Sequence, residues 1–156
     1  MNGIEWRYLA FDELSAAQLY AVLQLRSEVF VVEQACIFQD MDGADTLAMH
    51  LLGSLQGSLV AYARCLEAGR TFAEASIGRV ATRAGVRGTG AGHALMRKAI
   101  ACLLQERGAQ AIRIGAQAHL EAFYRQHGFH KAGPVYLEDG IAHVEMLRSV
   151  LFFKEF

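Results

Sequence analysis

The chain has 156 residues, 53% of them hydrophobic and 20% charged, with a formal net charge of -1. That size and balance describe one folded domain with its own core and exclude a disordered chain. The near-neutral charge leaves no electrostatic footprint for nucleic acid or an anionic membrane.

Residues 4–9 predict a first strand. Ser15 and Gln18 form a capping-box pattern, and Leu19, Val22, Leu23, Arg26 and Phe30 follow at helical spacing, so a helix is expected over 16–29. Residues 31–45 read as an irregular loop near a site, acidic at its end, with Asp40, Asp42 and Asp45 around Gly43. Two strands, 50–55 and 58–67, are expected across a tight turn at Gln56-Gly57. After a turn at 69–74, a strand over 75–82 leads into Arg87-Gly88-Thr89-Gly90-Ala91-Gly92.

The next helix, 93–107, is expected to bury Leu95, Met96, Ala99, Ile100, Cys102 and Leu103 and to stop at Gly108. A buried strand over 111–116 and a short helix over 119–127, stopped by Gly128, come next. Residues 135–137 and 143–147 read as a last pair of strands around Glu138-Asp139-Gly140. The apolar tail 151–156 is expected to pack back on the domain or meet a partner. No repeat or linker interrupts the chain, so residues 1–156 read as a single α/β domain.

Residues 1–7 carry Glu5 and Arg7, unlike a basic-then-apolar secretory leader. The longest apolar run near the centre, 99–104, is far too short to cross a bilayer. Cys36, Cys65 and Cys102 are an odd count without CxxC spacing, which fits a reduced, cytoplasmic setting, small apolar roles and no zinc site. A calcium loop at 40–45 is excluded, because Gly43 falls at the fourth position rather than the sixth. The acidic run then reads either as a solvated turn or as a rim that attracts a cationic amine.

The glycine-rich segment carries the most chemistry. Strand, glycine turn and helix build an anion cradle: glycines admit close backbone approach, and the free N–H groups opening a helix point at the anion. Arg87 adds a positive charge. A dinucleotide fingerprint fails, since counting from Gly88 reaches Gly90 and then His93; a P-loop fails for lack of Gly-Lys-Ser/Thr. The pattern present is Arg-x-x-Gly-x-Gly.

That pattern on a central strand–helix unit resembles the GNAT superfamily of acyl-CoA-dependent N-acetyltransferases, whose Q/R-x-x-G-x-G/A signature is matched by Arg87, Gly90 and Gly92. A second family element, Phe123-Tyr124-Arg125-Gln126-His127-Gly128-Phe129, follows in the expected order. Leu25-Arg26, the stretch from Val29 to Gln34, Gln39-Asp40, Asp42-Gly43, the stretch from Gly115 to His119, and that from Glu138 to His143 together look like the ElaA-like branch. The similarity runs from Ile4 to about Arg148. The chain departs from the family at Gln117, where many members carry Asn, at Ala84, where many carry Pro, and in the tail.

The resemblance implies an α/β (α+β) fold: a central, mixed, mostly antiparallel sheet of six to seven strands, flanked by helices and splayed at the strand before the glycine loop. It implies acetyl-CoA as acyl donor, with no metal. Backbone N–H groups of Gly88, Thr89, Gly90, Ala91 and Gly92, beside Arg87, are expected to hold its pyrophosphate. Val80 and Thr82 are expected to bind pantetheine through their backbones, with Gln117 and Phe123 beside the cofactor. The acyl group is expected to pass directly to an amine, with Tyr124 in the position of the proton donor. The proton acceptor stays open among Glu33, His143, Glu138 and a water that they hold. Arg26, Phe30, Gln34 and Arg64 are candidate acceptor contacts. Arg26, on an apolar helix face, also needs a carboxylate partner, which the acidic loop can supply.

The resemblance implies as acceptor a primary amine of a small molecule or peptide. A homodimer is a further expectation, with Phe152, Phe153 and Phe156 at the contact. A non-catalytic acyl-CoA sensor, transfer of another acyl group, and a structural protein assembled through the tail remain as alternatives.

Overall fold

Helix α1 (Ala16–Arg26) begins with reciprocal bonds: the Gln18 N–H donates to Ser15 Oγ at 3.0 Å, and the Ser15 N–H donates to Gln18 Oε1 at 2.9 Å. In this computed structural model, which describes residues 3–150, α1 does not run on to Val29 as a regular helix. After Arg26 the backbone widens into a π-helix, Ser27–Glu33. The change of period keeps Val29 in the core while Phe30 and Glu33 reach a cleft, and π-helical turns recur at functional sites for that reason.

Among the described residues, seven strands form two antiparallel sheets. β1 (Ile4–Ala10), β2 (Met49–Leu55), β3 (Ser58–Leu66) and β4 (Ser76–Thr82) lie in the order β1-β2-β3-β4. β5 (Ile112–Gln117), β6 (Phe129–Glu138) and β7 (Ile141–Arg148) lie in the order β5-β7-β6. Gln56-Gly57 and Asp139-Gly140 join their hairpins with positive φ at both residues, the type I′ geometry that matches strand twist. The sheets meet at one parallel bridge, Ala75 to Ile112, where the Arg113 N–H donates to the Ala75 carbonyl at 2.9 Å. Beyond that point β4 and β5 diverge, which is the expected splay.

Helix α2 (Ala91–Arg107) lays Leu95, Met96, Ala99, Ile100 and Leu103 against Ile77 of the first sheet and Ile112, Ile114 and Val144 of the second. Helix α1 and the π-helix after it cover a separate cluster: Val22, Leu25 and Val29 pack on Leu52, Leu59 and Tyr62. Cys36 and Cys65 are buried, whereas Cys102 is only half-buried, at the margin of the α2 core face.

Other element boundaries also differ from expectation. α2 starts at Ala91 because Gly90, at φ +89, caps it in a left-handed conformation. The short helix is a 3-10 turn, Ala118–Leu120, followed by α3 (Glu121–Arg125). β6 starts at Phe129, six residues before the expected strand, and its ladder is broken between Lys131 and Val135. Pro134 stands in that break; it has no N–H to donate, so the alternating pattern is lost there.

Among the described residues, no helix is long and apolar enough to cross a membrane. The expected contact residues Phe152, Phe153 and Phe156 lie outside the described residues.

Candidate active site

The glycine turn ends at the N-terminus of α2, directly beside the splay. The first backbone bond across this end is from the Ala94 N–H to the Gly90 carbonyl, at 3.0 Å. The N–H groups of Ala91, Gly92 and His93 therefore have no acceptor within the helix. Gly88 and Gly90 sit at φ +80 and +89, and a Cβ at either would meet nothing within 4 Å. Glycine is thus required there by backbone conformation, and the turn keeps an open face. Thr89 Oγ1 donates to the Val86 carbonyl, and Ala91 is buried with Val60 and Val86, so both brace the turn with their side chains. This arrangement fits a diphosphate: unbonded donors, a helix terminus and a nearby cation.

Arg87 is not a loose charge. Its Nη2 donates to the Thr82 carbonyl at 2.7 Å, and its Nη1 pairs with Glu33 at 2.8 Å. Glu33, a candidate base, therefore sits at the glycine-loop side and ties the π-helix to the end of β4.

A cleft of about 910 Å³ opens between the diverging strands. Val80, Thr82, Arg87, Gly92, Gln117 and Phe123 line it, as do Tyr124 and His143. Phe30, Glu33, Gln34 and Arg64 line it as well. Phe123 packs over the start of α2, where a Cβ on Gly92 would stand 3.6 Å from its ring.

Tyr124 is 7% exposed and lies edge-on to Phe123, with ring centroids 5.1 Å apart. Burial pushes its hydroxyl up to about 12, so it holds its proton throughout the neutral range.

His143 is also buried. Its Nδ1 lies 2.7 Å from the Ile141 carbonyl, which can only accept, so Nδ1 carries the proton and Nε2 is the basic nitrogen. Glu138 Oε2 is 3.6 Å from Nε2. The imidazole stacks on Tyr136, with centroids 5.8 Å apart. Tyr136 in turn reaches across β7: a Cβ on Gly115 would lie 2.9 Å from its hydroxyl. Burial, and then Glu138 and Glu145, push that hydroxyl up. Tyr136 escaped the sequence reading, because only the β5-β7-β6 register brings it over Gly115. Phe38, Arg79 and Cys36 also line the cleft unannounced. The Cys36 thiol donates to the Asp139 carbonyl at 3.4 Å, joining the acidic loop to the β6–β7 turn.

The acidic loop is neither a solvated turn nor a bare anionic rim. Asp40, Asp42 and Asp45 interlock with Arg26, Arg64 and Arg79. Arg26 bonds Asp40 at 2.9 Å and Asp45 at 2.7 Å; Arg64 bonds Asp42 at 2.9 Å and Asp45 at 3.0 Å. Arg26 is 0% exposed and does not line the cleft, which removes it from the acceptor contacts. Its expected carboxylate partners are Asp40 and Asp45. Arg64 does reach the cleft, although its forks are engaged, and its buried Nε has no hydrogen-bond partner among the described residues. Below the network, His50 Nε2 donates to the Asp45 carbonyl at 2.8 Å, which leaves Nδ1 to accept from the Tyr62 hydroxyl at 2.6 Å.

This network makes stability depend on pH. Burial holds the His50 imidazole below its usual range. Bonds from Arg64 hold Asp42 well below the carboxylate range. Burial alone would raise Asp45, but Arg26 and Arg64 outweigh it and the net shift is downward. All three groups bind protons more readily in the unfolded chain. Their contributions are therefore complete above the unfolded values, about 6.5 for His and about 3.9 for Asp, and are lost as pH falls. The melting temperature is expected to decline from about pH 6.5 and to fall more steeply below about pH 4. A scan by circular dichroism giving a flat profile over that range would refute the assignment.

Among the described residues, no cluster of His, Cys, Asp and Glu is arranged to hold a metal ion. Comparison with known proteins gives the same family as the motifs. An Acetyltransferase (GNAT) domain model matches residues 16–150. Protein ElaA of Escherichia coli (strain K12) is 45% identical over 150 residues, which is 95% of this chain and 98% of the relative. The crystal structure of Escherichia coli ElaA aligns with a TM-score of 0.88 at 44% identity, over 94% of this chain and 99% of that one. An acyl-CoA N-acyltransferase from Pseudomonas aeruginosa aligns with a TM-score of 0.89 at 40% identity, over the same shares. With a splayed sheet, a glycine-capped helix at its mouth and these relatives, the chain belongs to the GNAT acetyltransferase family, in its ElaA-like branch.

Proposed function

We propose that the protein moves an acetyl group from acetyl-CoA to a primary amine of a small molecule or peptide, by direct attack. The observation that carries this reading is the opening between β4 and β5, which ends at the bare N-terminus of α2 and has the protonated Tyr124 in its wall. Acetyl-CoA supplies an acyl group already activated as a thioester.

The protein's own residues then have four tasks. The N–H groups of Gly88 to Gly92, with Arg87, hold the diphosphate. The backbone of Val80 and Thr82 aligns the pantetheine arm, and the β4 backbone orients the thioester carbonyl. Tyr124 Oη gives its proton to the departing sulfur. His143 Nε2, its ring held by the Nδ1–H bond to the Ile141 carbonyl, takes the proton that an ammonium must lose before it can attack, and Glu138 stabilises the imidazolium that results; a lysine-like amine, with a pKa of about 10.4, is otherwise mostly protonated at neutral pH.

Calorimetric titration with acetyl-CoA tests the first task. Wild type is expected to bind at micromolar concentration. Arg87→Ala is expected to weaken binding about 10-fold, the effect of losing one charge-assisted bond. Gly90→Val is expected to weaken it further, because it sets a branched side chain at φ +89 on the open face of the turn. Absence of binding in the wild type would refute the acyl-CoA reading. Binding would justify a screen of amines by thiol release.

A further inference from the structure

We propose that Arg79 is a positioning residue for the acyl end of the cleft, holding a bulge in β4 through Asp40 and the buried Arg26. This rests on the acyl-CoA reading above, and it assigns work to a residue that carries no part of that chemistry itself.

The bulge is read from the register. On β3, Tyr62 and Arg64 are two residues apart; on β4 their partners, Ala81 and Gly78, are three apart. β4 therefore holds one extra residue, and Arg79 and Val80 fall outside the paired positions on either side. Bulges turn backbone groups away from a ladder and recur beside active sites. Arg79 and Val80 both line the cleft. Backbone released from β3 at this point faces the place where the thioester carbonyl would lie.

The bulge is built on an unfavourable residue. Arg79 has φ +50, a region that glycine enters freely and a side-chain-bearing residue does not. Gly78, its neighbour, does not occupy that region. Here the arginine side chain supplies what the backbone conformation costs. Its Nε donates to Asp40 Oδ1 at 2.8 Å, and its Nη2 donates to the Asp40 carbonyl at 2.9 Å. The guanidinium also lies over the Phe38 ring, 5.9 Å from its centroid. Asp40 is itself held by Arg26, whose Nε donates to Oδ2 at 2.9 Å. The bulge is thereby tied through the loop to α1, and every link is a charge-assisted bond or a stacked contact.

Arg79→Gly separates the clamp from the backbone. Glycine accepts φ +50 without strain, so the bulge remains possible but is no longer held. The side chain is 24% exposed, and Arg26 keeps both Asp40 and Asp45, so the core ion pairs survive. Acetyl-CoA and 3′-phosphoadenosine 5′-diphosphate, the same nucleotide without the pantetheine arm, are titrated into the wild type, Arg79→Gly and Arg79→Lys.

Arg79→Gly is expected to lose about 10-fold in affinity for acetyl-CoA, the worth of one misplaced backbone donor, with the nucleotide unchanged. Arg79→Lys is expected to recover part of that loss, since an ammonium can make one of the two bonds to Asp40. Equal losses for both ligands would mean general loosening and would overturn the proposal, as would unchanged binding of acetyl-CoA. A wild type that binds the two ligands while Arg79→Gly matches it removes the clamp alone. A wild type that binds neither removes the acyl-CoA reading and the clamp together.

Discussion

Replacing Tyr124 by Phe is expected to lower kcat by about 100-fold, with the affinity for acetyl-CoA within about twofold of wild type. The ring contributes packing: it lies edge-on to Phe123 and to Phe129, with centroids 5.1 and 6.1 Å away. Phenylalanine keeps those contacts, so the variant is expected to fold as wild type does. Only the hydroxyl is lost. Burial pushes the hydroxyl up to about 12, so Tyr124 keeps its proton through the neutral range. Its ionisation is therefore not expected to set the alkaline limb of the pH–rate profile below about pH 10. The check is steady-state thiol release with any accepting amine, run beside calorimetry. An unchanged kcat would make Tyr124 a packing residue and leave the leaving sulfur to solvent.

Replacing Arg26 by Met is expected to cost about 3–5 kcal/mol of stability, because it strands buried charge rather than removing a surface pair. Methionine restores most of the aliphatic volume between α1 and Tyr62, so cavity formation is a small part of the effect. What remains is Asp40 and Asp45, both buried, each deprived of one of its two guanidinium partners. At about 2–4 °C per kcal/mol for a domain of this size, the melting temperature is expected to fall by roughly 10 °C. The exposed Arg125–Glu121 pair, one helical turn apart at 2.8 Å, serves as the contrast. Its removal is expected to change stability by about 0.5 kcal/mol or less, and that change is expected to fade with added salt. Urea melts of the two variants measure both. A loss below about 1 kcal/mol for Arg26→Met would show that the network is replaceable by apolar contact, as some buried ion clusters are.

The Arg26 network joins residues that are not neighbours in the chain, and that separates what could be read early from what could not. The capping box at Ser15 and Gln18, the turns at Gln56-Gly57 and Asp139-Gly140, and the Arg87–Gly92 cradle are all local. Each depends on backbone preferences within a few residues, and each is found where the residues put it. Composition and spacing also carried most of the helices and strands, because apolar periodicity reports which face meets a core. The π-helix at Ser27–Glu33 was not legible, since helical spacing alone does not reveal a change of period. β6 was read short because Pro134 interrupts the alternation on which strand recognition depends.

The sequence by itself determined the family, the glycine turn that leads into a helix and the need of Arg26 for a carboxylate. Those follow from local conformation and from the cost of burying a lone charge. The tertiary structure alone decided that Arg26 faces Asp40 and Asp45 instead of an acceptor, that Glu33 meets Arg87, and that Tyr136 crosses Gly115. It alone decided that Arg79 bonds Asp40 from within the β4 bulge. The reason is physical. A charge shows in the chain, but its partner is chosen by the register of strands dozens of residues apart, and electrostatic strength depends on the burial that only packing creates.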